Sequence, residues 1–303
     1  MPASVNILEE ARVAVPNTAA LPPEPLRLSA LDAQWVTLPL IQRVLVFVDG
    51  DGDGSHRAVP PFASVVAALR ASLAETFARF PTLAGNIVHL PSTGDAAIDC
   101  ADGSGVRFLV AEGGDVDAAR LAGEEDHDAE AFARLVPVLD AGELPADTMA
   151  AQVTRLRGGV ALGVAMHHAV VDGRSVWRFL QAWAAACRGE GDADAAAAPP
   201  TFDRAAVKLP GGDELARSVL RKYAPDLPVV RSLLCILLYL AVVRSLPVVR
   251  SLLYAPDIAG SASPHRRAAA HRRVAAAAPR NLSFYGPQKW RSKSPPPPAT
   301  RTP

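Results

Sequence analysis

One short segment, residues 167–173, constrains this chain more than any other because it joins two elements of different type. The residues before it, 160–166, form an apolar run that predicts a buried strand. The segment is therefore predicted to be a loop between a strand and a helix, which is a common location for catalytic side chains. The residues after it carry apolar side chains at the spacing of an amphipathic helix: Val176, Phe179, Leu180, Trp183 and Cys187.

His168 is the candidate base in this loop, since an imidazole can accept and return a proton near neutral pH. Removing a proton from an alcohol or amine would let that group attack an activated acyl donor such as a thioester. Asp172 could either orient the imidazole or cap the helix and fix the loop, and the following Gly173 favours the structural role. His167 has no role that the pattern assigns, and a packing residue at the end of the strand is its simplest interpretation.

Other apolar patterns predict a sheet covered by helices, in an α/β (α+β) fold with a mixed sheet. A helix is indicated after Pro60 and Pro61 by a stripe of apolar residues, and a hairpin by Gly158 and Gly159. The predicted strands are residues 40–48, 86–90, 96–100, 106–111, 152–156 and 160–166, and the predicted helices are residues 62–77, 115–121, 129–135 and the one after Asp172.

The motif His168-Ala-Val-Val-Asp172-Gly173 resembles the His-x-x-x-Asp-Gly motif of the BAHD acyltransferases. These plant enzymes of secondary metabolism move acyl groups from coenzyme A thioesters to alcohols and amines. Residues 173–179 and 202–204 are most similar to the malonyltransferase branch, which acylates phenolic and flavonoid glycosides. The resemblance extends over about residues 4–226, and its other matching segments are residues 28–35, 39–47, 69–86 and 135–139.

The resemblance implies an acyltransferase that moves a malonyl or hydroxycinnamoyl type of group from acyl-CoA to a glycoside hydroxyl. His168 would be its general base, whereas Asp172 and Gly173 would be structural residues at the active site. Acyl-CoA would be a co-substrate, and neither a bound cofactor nor a metal ion would be required. The fold implied is a chloramphenicol-acetyltransferase-like N-terminal domain.

The sequence changes character after residue 226. The second domain of the family carries the motif Asp-Phe-Gly-Trp-Gly, which this sequence does not contain, so that domain is expected to be largely missing. Residues 227–234 recur as residues 246–253, and from residue 258 onward there is no acidic residue. We therefore divide the chain into an acyltransferase domain (1–226), an apolar duplicated segment (227–257) and a basic tail (258–303) that is predicted to be disordered.

This division leaves two hypotheses open: an active acyltransferase, or a catalytically silent fragment that acts at most as a ligand-binding or partner-binding module. A third, nucleic-acid binding by the basic tail, is disfavoured. The net charge is zero, so the residues before the tail carry the compensating negative charge. Three scattered cysteines suit a reducing compartment, and neither a secretory signal nor a membrane span is indicated. We expect a cytoplasmic monomer whose partners are acyl-CoA and a small-molecule acyl acceptor, not nucleic acid or a membrane.

Overall fold

The computed structural model describes residues 5–18, 21–37, 40–49, 60–100, 105–123, 129–140, 144–190, 200–202, 204, 207 and 209–223. The duplicated segment and the basic tail lie outside the described residues, so the predictions for them stay predictions.

The described residues form strands and helices that alternate along the chain. The strands are β1 (Asn6–Val13), β2 (Leu26–Arg27), β3 (Ile41–Val48), β4 (Asn86–Leu90), β5 (Asp95–Asp99), β6 (Val106–Asp117), β7 (Ala146–Asp147), β8 (Met149–Arg157) and β9 (Gly159–Met166). The helices are α1 (Ala30–Ala33), α2 (Phe62–Phe77), α3 (Ala118–Leu121), α4 (Ala129–Ala133), α5 (Gly173–Cys187) and α6 (Gly212–Tyr223). Two short 3₁₀ turns, Gln34–Thr37 and Pro81–Ala84, complete them.

The strands form two sheets. The larger sheet has the order β1-β6-β8-β9-β3, and the smaller sheet has the order β2-β5-β4-β7. In the larger sheet β6 and β8 run parallel, while the other neighbouring strands are antiparallel. The sheet is therefore mixed, and the predicted α/β class is confirmed.

Strand β9 is buried along its whole length because helices cover both faces of the larger sheet. One face packs against α2 and α5 in the larger apolar core, and the other packs against α3 and α4 in a smaller core. The small residues Ala161 and Ala165 face the smaller core. The alternate residues Val160, Leu162, Val164 and Met166 face the larger core.

Helix α5 is fixed against α2 by hydrogen bonds as well as by apolar packing. The indole Nε1 of Trp183 donates to the Leu69 carbonyl at 3.2 Å and to the Ser72 hydroxyl at 3.0 Å. Trp183 is fully buried, so these bonds satisfy a donor that solvent does not reach. The C-terminal half of α5 is thus anchored to the core.

The predicted and the observed elements differ mainly where hydrogen bonding between strands, rather than the local sequence pattern, decides the backbone conformation. The helix predicted for residues 115–121 is wrong at its start, because β6 continues to Asp117 before α3 begins. Asp117 still pairs with Arg157 of β8, which keeps the end of β6 extended. Strand β1 and helix α6 were not predicted at all. Among the described residues, no helix has both the length and the apolar character needed to cross a membrane.

Candidate active site

The loop that carries the two histidines is held by backbone hydrogen bonds. The amide of His167 donates to the Thr148 carbonyl at 2.8 Å, and the Val170 amide donates to the His167 carbonyl at 3.0 Å. Thr148 is itself tied to the smaller sheet, since its hydroxyl donates to the Gly85 carbonyl at 2.9 Å. The chain therefore leaves β9 through a defined turn, and His168 occupies a fixed backbone position.

His167 and His168 lie in different environments. His167 is fully buried, and its Nδ1 accepts a hydrogen bond from the Ala169 amide at 3.3 Å. Burial, followed by the proximity of His168, lowers the pKa of His167 to about 4, so its imidazole is neutral at physiological pH. His168 is half-buried, and its Nδ1 is shielded from solvent with no hydrogen-bond partner among the described residues.

Asp172 caps helix α5. Its carboxylate accepts a hydrogen bond from the Ser175 amide at 2.7 Å, as an N-cap side chain does. Burial acts to raise the pKa of Asp172, but hydrogen bonds from the side chain and backbone of Ser175 outweigh it and lower the pKa below its usual value. Since Nδ1 of His168 has no partner among the described residues, Asp172 does not orient the imidazole through that atom.

Gly173 is the first residue of α5 and lies on the exposed side of the turn. A Cβ at this position would meet nothing within 4 Å, and the backbone is not in the left-handed region. The described surroundings therefore leave room for a side chain here.

Trp35 is the residue of this site that the sequence did not single out. Its indole ring stacks on the imidazole of His168, with ring centroids 3.9 Å apart and an interplanar angle of 10°. Trp35 belongs to the 3₁₀ turn after α1, far from the histidines in sequence. The only available signal was its position in the segment 28–35, which resembles the entry segment of the family.

A cavity of about 920 Å³ opens elsewhere in the described part of the chain, between β2, the start of α1 and α6. Its walls include Arg27, Asp95 and Arg217, which are joined by ion pairs, and neither histidine of the loop lines it. No group of three or more metal-ligating side chains is present among the residues that the structure describes.

Comparison with known proteins gives a consistent result. The sequence profile of the Transferase family matches residues 3–228. The chain is 32% identical over 213 residues to the malonyl-CoA:anthocyanidin 5-O-glucoside-6''-O-malonyltransferase of Arabidopsis thaliana, covering 70% of this chain and 45% of that protein. It is 30% identical over 212 residues to phenolic glucoside malonyltransferase 1 of the same plant, covering 69% and 44%. The chain spans about half the length of the curated relatives it matches.

The fold is also similar to a solved structure. The crystal structure of vinorine synthase superposes with a TM-score of 0.54 at 24% sequence identity, covering 68% of this chain and 47% of that one. Because the family profile covers most of the chain, the resemblance inferred from the histidine motif and its neighbouring segments is confirmed. This chain belongs to the Transferase family, the family of the BAHD acyltransferases.

Proposed function

We propose that this protein transfers an acyl group of the malonyl or hydroxycinnamoyl type from acyl-CoA to a hydroxyl group of a phenolic or flavonoid glycoside, with His168 as general base. The malonyltransferases among its relatives, which are named for phenolic glucosides and anthocyanidin glucosides, support this class of acceptor. Acyl-CoA is a co-substrate in this proposal, and no bound cofactor or metal ion takes part.

The observation that carries the proposal is the position of His168. Its imidazole lies at the junction between β9 and α5, on a backbone fixed by hydrogen bonds. The His168 side chain is half-buried, whereas that of the neighbouring His167 is fully buried. A half-buried imidazole that keeps an accessible nitrogen suits proton transfer. Because Nδ1 is shielded, Nε2 is the atom that we assign as the proton acceptor.

In this proposal the acyl group passes directly from the thioester to the acceptor hydroxyl. Nε2 of His168 takes the proton of the acceptor hydroxyl as its oxygen attacks the carbonyl carbon of the thioester. The tetrahedral oxyanion then collapses, and the carbon–sulfur bond breaks. The imidazolium returns its proton to the departing thiolate, which gives an ester, free coenzyme A and a neutral histidine. No acyl-enzyme forms.

The resemblance assigns structural roles to Asp172 and Gly173 in this proposal, although no described contact requires a glycine at residue 173. Asp172 stabilises the start of α5 and with it the turn that carries His168. We further propose that residues 1–226 make up the acyltransferase domain. A cytoplasmic monomer that binds neither nucleic acid nor a membrane stays a prediction from the sequence.

The test measures acyl transfer by the purified full chain with malonyl-CoA and a phenolic glucoside. Acylated product is detected by mass spectrometry, with p-coumaroyl-CoA as the second donor. We expect His168→Gln to lower the rate by at least about a hundredfold, in the range of general-base catalysis. The control is His89→Gln, since His89 is an exposed histidine on β4, and it should leave the rate unchanged. Transfer by His168→Gln at the wild-type rate contradicts the assignment of the base.

The second candidate is a catalytically silent module that binds a phenolic ligand or a partner without catalysing transfer. For this candidate, no product forms with either donor, yet the glucoside shifts amide resonances in the NMR spectrum of the chain. Product formation that depends on His168 excludes it.

A further inference from the structure

The geometry around His168 raises a specific question, namely what holds the ring in place. An imidazole that acts as a base is commonly oriented by a hydrogen bond that the N–H of its second nitrogen donates to a carboxylate or a carbonyl group. Here Nδ1 of His168 has no such partner among the described residues, and the carboxylate of Asp172 is engaged by Ser175. Rotation of the imidazole must therefore be limited by another contact.

The indole of Trp35 provides that contact. Its plane lies within 10° of the imidazole plane, and the ring centroids are 3.9 Å apart, so the two faces are in van der Waals contact. Rotation of the imidazole about its bond to Cβ would drive a ring edge into the indole face. The same face carries negative electrostatic potential, which attracts the imidazolium that forms during proton transfer.

Trp35 itself is held by the helix that precedes it. Helix α1 begins with a capping box. The Ser29 amide donates to the Asp32 carboxylate at 3.0 Å, and the Asp32 amide donates to the Ser29 hydroxyl oxygen at 3.3 Å. Asp32 also pairs with Arg204, whose Nε lies 3.1 Å from the carboxylate. This pair ties α1, the helix directly before Trp35, to a residue that follows α5 in the chain, and the indole itself packs against the larger core.

We propose that Trp35 is a positioning residue for His168, with its stacked indole face fixing the imidazole in place of a hydrogen-bonded carboxylate. The catalytic part of this inference rests on the proposed function, whereas the positioning itself does not. The two can therefore be tested separately.

The first measurement needs no activity. Imidazole protons above an indole face are shifted upfield by its ring current, so the full chain labelled with ¹³C-histidine should give one upfield-shifted imidazole signal. This signal is assigned to His168 by its loss in His168→Gln. We expect Trp35→Phe to keep most of the shift and Trp35→Leu to abolish it.

A matched control separates stacking from general loss of packing. Trp177→Leu removes another half-buried indole from the edge of the same apolar core, and should leave the His168 signal in place. A thermal melt of each variant checks that it is folded. If Trp35→Leu retains the upfield signal, or if Trp177→Leu abolishes it equally, the proposal is overturned. Trp35→Phe keeps the test decisive if Trp35→Leu does not fold.

The second measurement is kinetic. Because a misplaced base slows the chemical step rather than binding, Trp35→Leu should lower kcat by at least about tenfold while KM for acyl-CoA changes by less than about twofold. Trp35→Phe should recover most of kcat. Wild-type kcat in Trp35→Leu overturns the proposal. An upfield His168 signal in a chain that transfers no acyl group supports the positioning role and removes the proposed function.

Discussion

Gly163 on β9 lies directly against the backbone of Leu135, so that a Cβ at residue 163 would stand 1.9 Å from the Leu135 carbonyl oxygen. The segment that follows α4 can lie on the sheet only because this position has no side chain. A further hydrogen bond supports the approach, since the side-chain amide Nε2 of Gln152 on β8 donates to the Arg134 carbonyl at 3.0 Å.

Gly163→Ala should therefore destabilise the fold severely, because backbone atoms on both sides have to move. We expect a loss of about 2–4 kcal/mol in the free energy of unfolding, measured by urea denaturation. The matched control is Gly114→Ala, where a Cβ would meet nothing within 4 Å and a change of less than about 0.5 kcal/mol is expected. Equal urea midpoints for Gly163→Ala and Gly114→Ala would contradict the close approach of Gly163 to the Leu135 backbone.

The buried His167 should make stability depend on pH. An unfolded histidine titrates near pH 6.5, whereas burial lowers the pKa of His167 to about 4 in the folded chain. Between these values the unfolded chain binds a proton that the folded chain does not. The free energy of unfolding should therefore be largest above about pH 6.5 and decrease by roughly 3 kcal/mol as pH falls toward 4.

Urea midpoints measured from pH 7 to pH 4.5 check this, and His167→Gln should remove most of the decrease. His89→Gln, at an exposed position, should keep the wild-type slope. Carboxylates with a lowered pKa lose their contribution from about pH 5 downward, so the decrease between pH 6.5 and 5 distinguishes His167 from them. A wild-type profile that is flat between pH 6.5 and 4.5 would exclude a buried neutral imidazole.

The N-cap hydrogen bond of Asp172 should contribute measurably to the free energy of unfolding. Asp172→Ala removes the acceptor of the Ser175 amide and should lower the free energy of unfolding by about 1 kcal/mol, within a range of roughly 0.5–2 kcal/mol. Asp172→Asn should lose less, since asparagine is also a good N-cap residue.

The pKa of Asp172 is lowered in the folded chain, so its charged form adds stability above the ordinary pKa of aspartate. That contribution is lost as pH falls through the lowered pKa. The control for the loss of an exposed carboxylate is Glu24→Ala, which should change stability by less than about 0.5 kcal/mol. Equal effects of Asp172→Ala and Glu24→Ala argue against the cap.

The thiol of Cys187 should be inert in the folded protein. Burial raises the pKa of Cys187 to about 11, although a hydrogen bond with Ser72, whose hydroxyl oxygen lies 2.8 Å from the sulfur, acts in the opposite direction. At pH 8 about one thiol in a thousand is then ionised, and the thiolate is the reactive form. Iodoacetamide should label Cys187 at least about a hundredfold more slowly in buffer than in urea, as measured by peptide mass spectrometry. Similar rates in both solvents would show that the thiol is accessible.

The periodicity of apolar residues predicted those elements whose buried face is formed by their own regularly spaced apolar side chains. Helix α2 spans the predicted apolar stripe, from Phe62 to Phe77, and ends shortly before Pro81, which was predicted to end it. Strand β9 and helix α5 were predicted equally well, because both bury a continuous set of apolar side chains. Strand β1 was missed since its residues are mostly exposed and show no apolar alternation, and backbone pairing with β6 defines it instead.

The sequence by itself determined the family, the position of His168 between a strand and a helix, and the apolar faces that build the larger core. Each of these follows from local patterns, read one segment at a time. Tertiary structure alone decided that the indole of Trp35 meets the imidazole of His168 and that Nδ1 of His168 keeps no described partner. The physical reason is that a contact between residues far apart in sequence depends on how the sheet and helices pack, which no local pattern records.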